Sequence, residues 1–344
     1  MAEQYFMSEG PLLDEHGKLC EAGYQHRLTR AYDRASVKAS KLRLKEWDYY
    51  CVCSQDTVLA LTIADNGYMG LDSVTLIDLN RRWQYTKSFI RAFPMGKTGL
   101  PASSKQGDVA VEKGGYALSF KNDGKERVLD VRVEKFFDGK PLNARVTLTD
   151  EPEHTMVIAT PFPGKPKAFY YNQKINCLQA EGQVSFDGRT HVFSKEDSMG
   201  VLDWGRGVWT YKNTWSWSSL SGRIDGVPFG FNLGYGFGDT SAATENMLFV
   251  NGRAHKLRHV TFDIPQKPEG GDDFLKPWTI KDDEGRLDMV FTPVLDRAAL
   301  TSLGVIESDQ HQVFGHFDGV AKTDGQVLTL KHMLGFAEKV RNKW

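Results

Sequence analysis

From residue 47 onward the chain is written in short runs of alternating apolar and polar positions. WDYYCVCS, VLALTIAD, GYMGLDSVTLIDL, VLDVRVEKFF, ARVTLTD, HTMVIATPF, GQVSF, HVFSKED, NMLFV, VTFDI, LDMVFTPV, QVFGHFDGVAK and VLTLKHM all fit this pattern. Alternation with period two marks half-buried β-strands. Two-residue turn signals separate many of the runs: Asn66-Gly67, Asp123-Gly124, Asp138-Gly139, Asp187-Gly188, Asp225-Gly226, Asn251-Gly252 and Asp324-Gly325. These pairs supply the positive φ of primed hairpin turns. Strands joined so tightly form antiparallel meanders, not βαβ units. The pattern predicts an all-β protein with few short helices. So many strands exceed one flat sheet. Two barrels, or a barrel and a sandwich, would remove the edges. Leu28, Tyr32, Ala35, Ala39 and Leu42 recur at helical spacing, which fits a short helix or the run-up to the first strand. Pro-rich TPFPGKPKA reads as a connection, and the division is expected near residue 195, giving domains 1–195 and 196–344.

Residues 197–238 depart from plain alternation. Four of the eight tryptophans fall there, two of them, Trp215 and Trp217, on one strand face. The following strand places Phe229, Phe231, Leu233, Tyr235 and Phe237 on one face. Its other face is Gly230, Asn232, Gly234, Gly236 and Gly238. A bare strand face lets another backbone or a ligand approach closely.

Composition narrows the class. The 344 residues are 40% hydrophobic with a net charge of −1, which gives no footprint for nucleic acid or an anionic membrane. No apolar run has the length of a membrane span, and MAEQYFMSEG lacks the regions of a signal peptide. The expectation is a soluble cytoplasmic protein. Cys20, Cys51, Cys53 and Cys177 are too few for a disulfide scaffold and read as reduced thiols. No metal site is expected: Cys51 and Cys53 lack two further ligands, and His255 and His259 read as a solvated basic hairpin. Gly-x-Ser-x-Gly, His-Glu-x-x-His and Walker motifs are absent. Gly234-Tyr-Gly-Phe-Gly238 lacks the helix that a dinucleotide loop requires.

The candidate chemistry is carboxylate-centred. Asp203 stands between Leu202 and Trp204. An acid in such surroundings pairs with a cation or keeps its proton, and Arg206 is the partner nearest in sequence. The plain account is a structural ion pair under a tryptophan. The functional account makes Asp203 a general acid or base. Glu245 and Asn246 form a second polar pair, with Asn232 on the facing strand. Tyr171, Asn172, Lys174 and Asn176 form a third, with Glu181 as a nearby partner for Lys174. Trp204, Trp215 and Trp217 serve equally as core or as the wall of an apolar ligand site. His316 shares a strand face with Phe314.

GPLLDEHGKLCEAG, KEWDYY, FYYNQKINCLQAEGQVSF, VLDWGRGVW, TWSWSS, GFNLGYGF, TENMLFVNGRAHKL, QVFGHFDG and GFAEKVRNKW together resemble the DUF2804 family. Asp203-Trp204-Gly205, followed by an aromatic strand and an Asp-Gly turn, is similar to the Asp-His-x-Trp-Gly motif of the AttH and hydroxyneurosporene synthase (carotenoid hydratase) group. The histidine of that motif is absent here. The second resemblance implies two lipocalin-like (calycin-type) antiparallel β-barrels in tandem. It also implies hydration or cyclisation of hydrophobic polyenes without a redox cofactor, with Asp203 at the acidic position.

The expected function is binding of a hydrophobic or amphipathic small molecule in a barrel cavity. Cofactor-independent acid–base chemistry on it would follow, as hydration, isomerisation or cyclisation of an unsaturated substrate. Asp203, Arg206 and Glu245 would be catalytic. Trp204, Trp215, Trp217, Asn232, Tyr171, Lys174, Asn176, Asn246 and His316 would bind substrate. A lipid-like ligand carrier or sensor, and a glycoside-processing enzyme, are the alternatives.

Overall fold

The computed structural model describes residues 4–303 and 306–343. Two large antiparallel sheets, each curled into a half-barrel, make up almost the whole fold. The first runs from the edge strand Trp83–Ala92 through Met69–Asp78, Thr57–Asp65, Leu44–Cys53, Met199–Val208, Phe169–Phe186, Lys140–Thr149, Arg127–Phe137 and Tyr116–Asn122 to Val109–Lys113. Met156–Pro161 and Arg189–Phe193 pair with the two ends of Phe169–Phe186, and Gly23–Gln25 joins Met156–Pro161. The second sheet runs Arg253–Lys256, Met247–Val250, Val227–Tyr235, Lys212–Ile224, Val327–Lys343, Ile306–Lys322, Leu287–Leu303, Trp278–Asp282, Val260–Asp263. The chain passes from one sheet to the other at Trp209–Tyr211, after Met199–Val208 has been placed in the first. The expected division at residue 195 precedes this changeover, because the strand carrying Asp203 pairs with Leu44–Cys53 and Phe169–Phe186.

The turn chemistry works as its residues dictate. Asp138-Gly139, Asp187-Gly188, Asp225-Gly226 and Asn251-Gly252 each close a hairpin with both residues at positive φ, the requirement of a type I′ turn. The helical spacing after residue 28 yields only a single 3₁₀ turn, Arg34–Ser36, capped by the Asp33 carboxylate. Trp83–Ala92, Val109–Lys113, Tyr116–Asn122 and Trp278–Asp282 are strands that the list of hydrophobic runs passes over. Trp83–Ala92 is an edge strand with no fully buried residue, so its sequence carries little apolar signal.

Three buried clusters follow. One fills the first half-barrel. A second, built from residues such as Phe231, Trp278, Phe291 and Phe317, fills the other. The third lies between the sheets and joins Tyr49, Cys51 and Val201 to Trp217, Phe314 and Phe336. Asn176 ties the sheets together here. Its Nδ2 donates to Ser219 Oγ, Leu220 O and Phe231 O at 2.8–3.1 Å. A β-bulge follows Ile175, with Cys177 at φ +61°. It moves the inward face from odd residues, Tyr171 and Ile175, to even ones, Leu178 and Ala180, so the long strand keeps packing into the first core.

Candidate functional site

The site grows out of the alternation of strand Met199–Val208. Its odd residues Val201, Asp203, Gly205 and Gly207 share one face, and Leu202, Trp204 and Arg206 share the other. Asp203 opposes Tyr49 on one neighbour and Lys174 on the other. Lys174 Nζ lies 2.7 Å from Asp203 Oδ2, and Asn172 Nδ2 donates to Asp203 Oδ1 at 2.6 Å. All three side chains are buried. The Lys174 ammonium also sits 3.9 Å from the ring centre of Trp217, which reaches across from the second sheet. The expected partner of Lys174, Glu181, pairs instead with Lys195 at the surface.

The second sheet supplies the opposite wall. Trp217 Nε1 donates to Asn232 Oδ1 at 2.7 Å, and Asn232 Nδ2 donates to Glu245 O at 2.9 Å. Glu338 lies opposite Trp217 in the ladder with Val327–Lys343. It accepts from Trp215 Nε1 at 2.9 Å and from Gln312 Nε2 at 3.1 Å. Gln312 Oε1 in turn accepts from Arg297 and from the Tyr49 hydroxyl. Trp47, Trp209, Trp215, Tyr170 and Phe237 extend the site as an aromatic wall. Tyr170 stacks on Trp47, and Phe237 makes edge contacts with Tyr170, Trp209 and Trp215. A cavity of about 300 Å³ borders Trp215, with Tyr235, Phe262, Asp272 and Lys339 in its lining.

The electrostatics separate the acids. Burial pushes the Glu338 carboxyl up to about 7, against the pull of the Trp215 hydrogen bond and the Lys174 charge. Burial also raises Glu245, opposed chiefly by Lys174. The Tyr170 phenol is held well above its usual range by burial, with Glu245, Asp203 and Glu338 adding to the effect. Asp203 has a cation and an amide on its two oxygens.

Several candidates lie elsewhere. Arg206 is not the partner of Asp203. Three residues apart on a strand means opposite faces, and Arg206 points into the first half-barrel. There it is fully buried, pairs with Asp48 at 3.0 Å, and donates to the carbonyls of Trp47, Gly205 and Pro101. Trp204 shares that interior, with the Arg206 guanidinium 4.2 Å from its ring centre. Tyr171 also faces inward and donates to Arg30 O, so its neighbour Tyr170 is the tyrosine among the inter-sheet aromatics. Asn176 and Asn246 are committed to backbone groups, Asn246 accepting from Gly234 N and donating to Arg258 O. His316 stacks on His332 at 3.7 Å, four residues along its strand from Gln312.

The bare glycine face is filled by the protein itself. A side chain at Gly230 would meet Cys177 and Leu220 O, and one at Gly234 would meet the Glu245 carboxylate. Gly236, at φ +93°, breaks the alternation, so Phe237 joins the inter-sheet aromatics and the first core instead of the second barrel.

Asp203, Lys174, Asn232, Glu245, Trp215 and Trp217 are therefore brought together. Glu338, Gln312, Tyr49, Tyr170 and Trp47 are site residues that the sequence reading did not select. Parity puts Tyr49 and Trp47 on one strand face, but only the ladders bring them beside Asp203 and Glu338 across from Trp217.

A family model of a domain of unknown function, DUF2804, matches residues 3–344. The chain belongs to the DUF2804 family. No curated protein matches it in sequence. Among solved structures it is similar to a putative AttH from Nitrosomonas europaea, at 13% identity and a TM-score of 0.56, covering 91% of this chain and 98% of that one. It is also similar to CghA, at 10% identity and a TM-score of 0.52, with 97% of each chain covered. Kievitone hydratase from Nectria haematococca aligns at 12% identity and a TM-score of 0.49, over 86% of this chain and 88% of that one. The first two likenesses establish the shared fold. Among the described residues no helix is long and apolar enough to cross a membrane.

Proposed function

We propose that the two sheets form a cleft beside the Trp215 cavity that binds an apolar or amphipathic small molecule and performs cofactor-independent acid–base chemistry on it. Hydration, isomerisation or cyclisation of an unsaturated substrate fits best. The observation that carries this reading is the buried Asp203–Lys174–Asn172 cluster, set under Trp217 and facing Glu245 and Glu338. Carboxyl groups in one site whose environments set their proton affinities apart supply the acid and the base of such reactions. Asp203, with Lys174 and Asn172 on its two oxygens, is placed to accept a proton or to face a developing cation. A protonated glutamic acid opposite is suited to donate one. Lys174, not Arg206, is the ion-pair partner of Asp203. Asn232 orients Trp217 and reaches Glu245.

Native mass spectrometry with a lipid and polyene extract tests the binding, and Asp203→Asn tests the chemistry. Binding retained with turnover lost supports the enzyme. Failure of the wild type to bind any apolar compound would overturn the reading. A carrier or sensor, the alternative, keeps its ligand in the variant and shows no turnover in either protein.

A further inference from the structure

The carboxyl groups of the cleft differ in what holds them. Asp203 accepts from an ammonium and an amide. The hydrogen bonds of Glu338 come from neutral donors, the Trp215 indole and the Gln312 amide. Arg297, which could have served as its cation, gives its guanidinium to Gln312 Oε1 at 2.8 Å and Thr86 Oγ1 at 3.1 Å. With neutral donors in place of a cation on its oxygens, burial outweighs the hydrogen bonds and favours the protonated form of Glu338.

We propose that Glu338 sets the specificity of the cleft: its proton decides whether an amphiphile with an anionic head is accepted. This rests on the cleft being a ligand site, as argued above. The groups acting on Glu338 from the surrounding strands are Lys174, Asp203, Tyr49, Tyr170 and Arg297, with Glu245 beyond Tyr170. Lys174 and Asp203 cancel each other. Both tyrosines are held neutral by burial. Arg297 is tied to Gln312 and Thr86. With Glu338 protonated, the cleft presents an ammonium whose charge is matched and no further anion from this wall. With Glu338 ionised, a negative charge stands directly opposite Trp217, and Arg297 reaches it only through Gln312, in a low-dielectric site where like charges repel strongly.

Two fluorescent probes test this. 8-Anilinonaphthalene-1-sulfonate carries a sulfonate at every pH used, and N-phenyl-1-naphthylamine is neutral. Raising the pH from 6 to 8 takes the protonated fraction of a group titrating at about 7 from roughly 0.9 to roughly 0.1, so a ligand confined to the protonated form binds about tenfold more weakly. The sulfonate should show that loss in the wild type, and the neutral probe should not. Glu338→Gln, a neutral mimic of the protonated acid, should bind the sulfonate equally at both pH values. Trp215→Phe removes a hydrogen bond that favours the ionised form, so its midpoint should move to higher pH. A pH dependence that survives in Glu338→Gln, or that both probes share, overturns the proposal.

Spectra of ¹⁵N-tryptophan-labelled protein locate the probes through the Trp217 indole signal. If neither probe moves that signal, the cleft itself is not a ligand site and both readings fall. If the signal moves but the pH dependence does not follow Glu338, only the present proposal falls.

Discussion

The two faces of strand Met199–Val208 each carry a buried ion pair, and the pairs are built for different ends. On the inner face, Arg206 pairs with Asp48 and gives three further N–H groups to backbone carbonyls, one of them Pro101 O from the loop beyond Trp83–Ala92. That pair locks a loop and a strand together inside the first half-barrel. On the outer face, Asp203 pairs with Lys174 under an indole ring, beside two carboxyls raised by burial. Arginine cannot lose its proton in a protein, whereas a buried lysine can. The inner pair is thus a permanent fixture. The outer pair adjoins carboxyls that burial shifts toward their protonated form. The difference teaches that burial of an ion pair says little by itself; what the remaining donors and acceptors are spent on separates structure from chemistry.

Removing the acid from each pair probes this contrast most severely. Asp48→Asn leaves the fully buried Arg206 charge without its counter-ion, and a loss of about 3–5 kcal/mol is expected, read by urea denaturation. Asp203→Asn keeps an amide oxygen opposite Lys174, so its cost should stay near that of an unsatisfied buried donor, about 1–3 kcal/mol. Equal costs would break the comparison.

A pH scan sharpens it next. Glu338 keeps its proton in the folded state up to about 7, against an ordinary value of 4.5. Between those values the folded protein binds a proton that the unfolded chain has released. The stability this proton contributes is therefore full below about 4.5 and is lost as the pH rises to about 7, at up to about 1.4 kcal/mol per pH unit. Glu338→Gln should flatten that part of the stability curve. An unchanged curve would place the titration elsewhere. The smallest effect distinguishes neighbouring tyrosines. Tyr171→Phe removes the hydrogen bond to Arg30 O and should cost about 1 kcal/mol with ligand binding in the cleft unchanged, measured by thermal unfolding and probe titration.

Much of the fold was legible in the residues themselves. Period-two runs and Asn-Gly or Asp-Gly pairs are local signals, and four of those pairs adopt the conformation their residue types favour. Strand parity was legible too. It separates Asp203 from both Trp204 and Arg206 and groups Lys174 with Asn172, so the pairing of Asp203 with Arg206 contradicted a rule the chain already displayed. Proximity in sequence was the misleading cue. On a strand, neighbours in sequence point apart and partners come from across the ladder.

What the sequence determined alone was the class of architecture, the turns, and which residues of each strand share a face, because these depend on backbone geometry within a few residues. Tertiary structure decided which strands stand side by side, and so which charges meet. Lys174 is 29 positions before Asp203, and Glu338 is 121 positions after Trp217, yet each pair stands directly opposed in a ladder. The bare glycine face shows the same division. Its emptiness was written in the chain, but only the packed molecule shows that Cys177 and the Glu245 carboxylate fill it, since close packing leaves no such space unused.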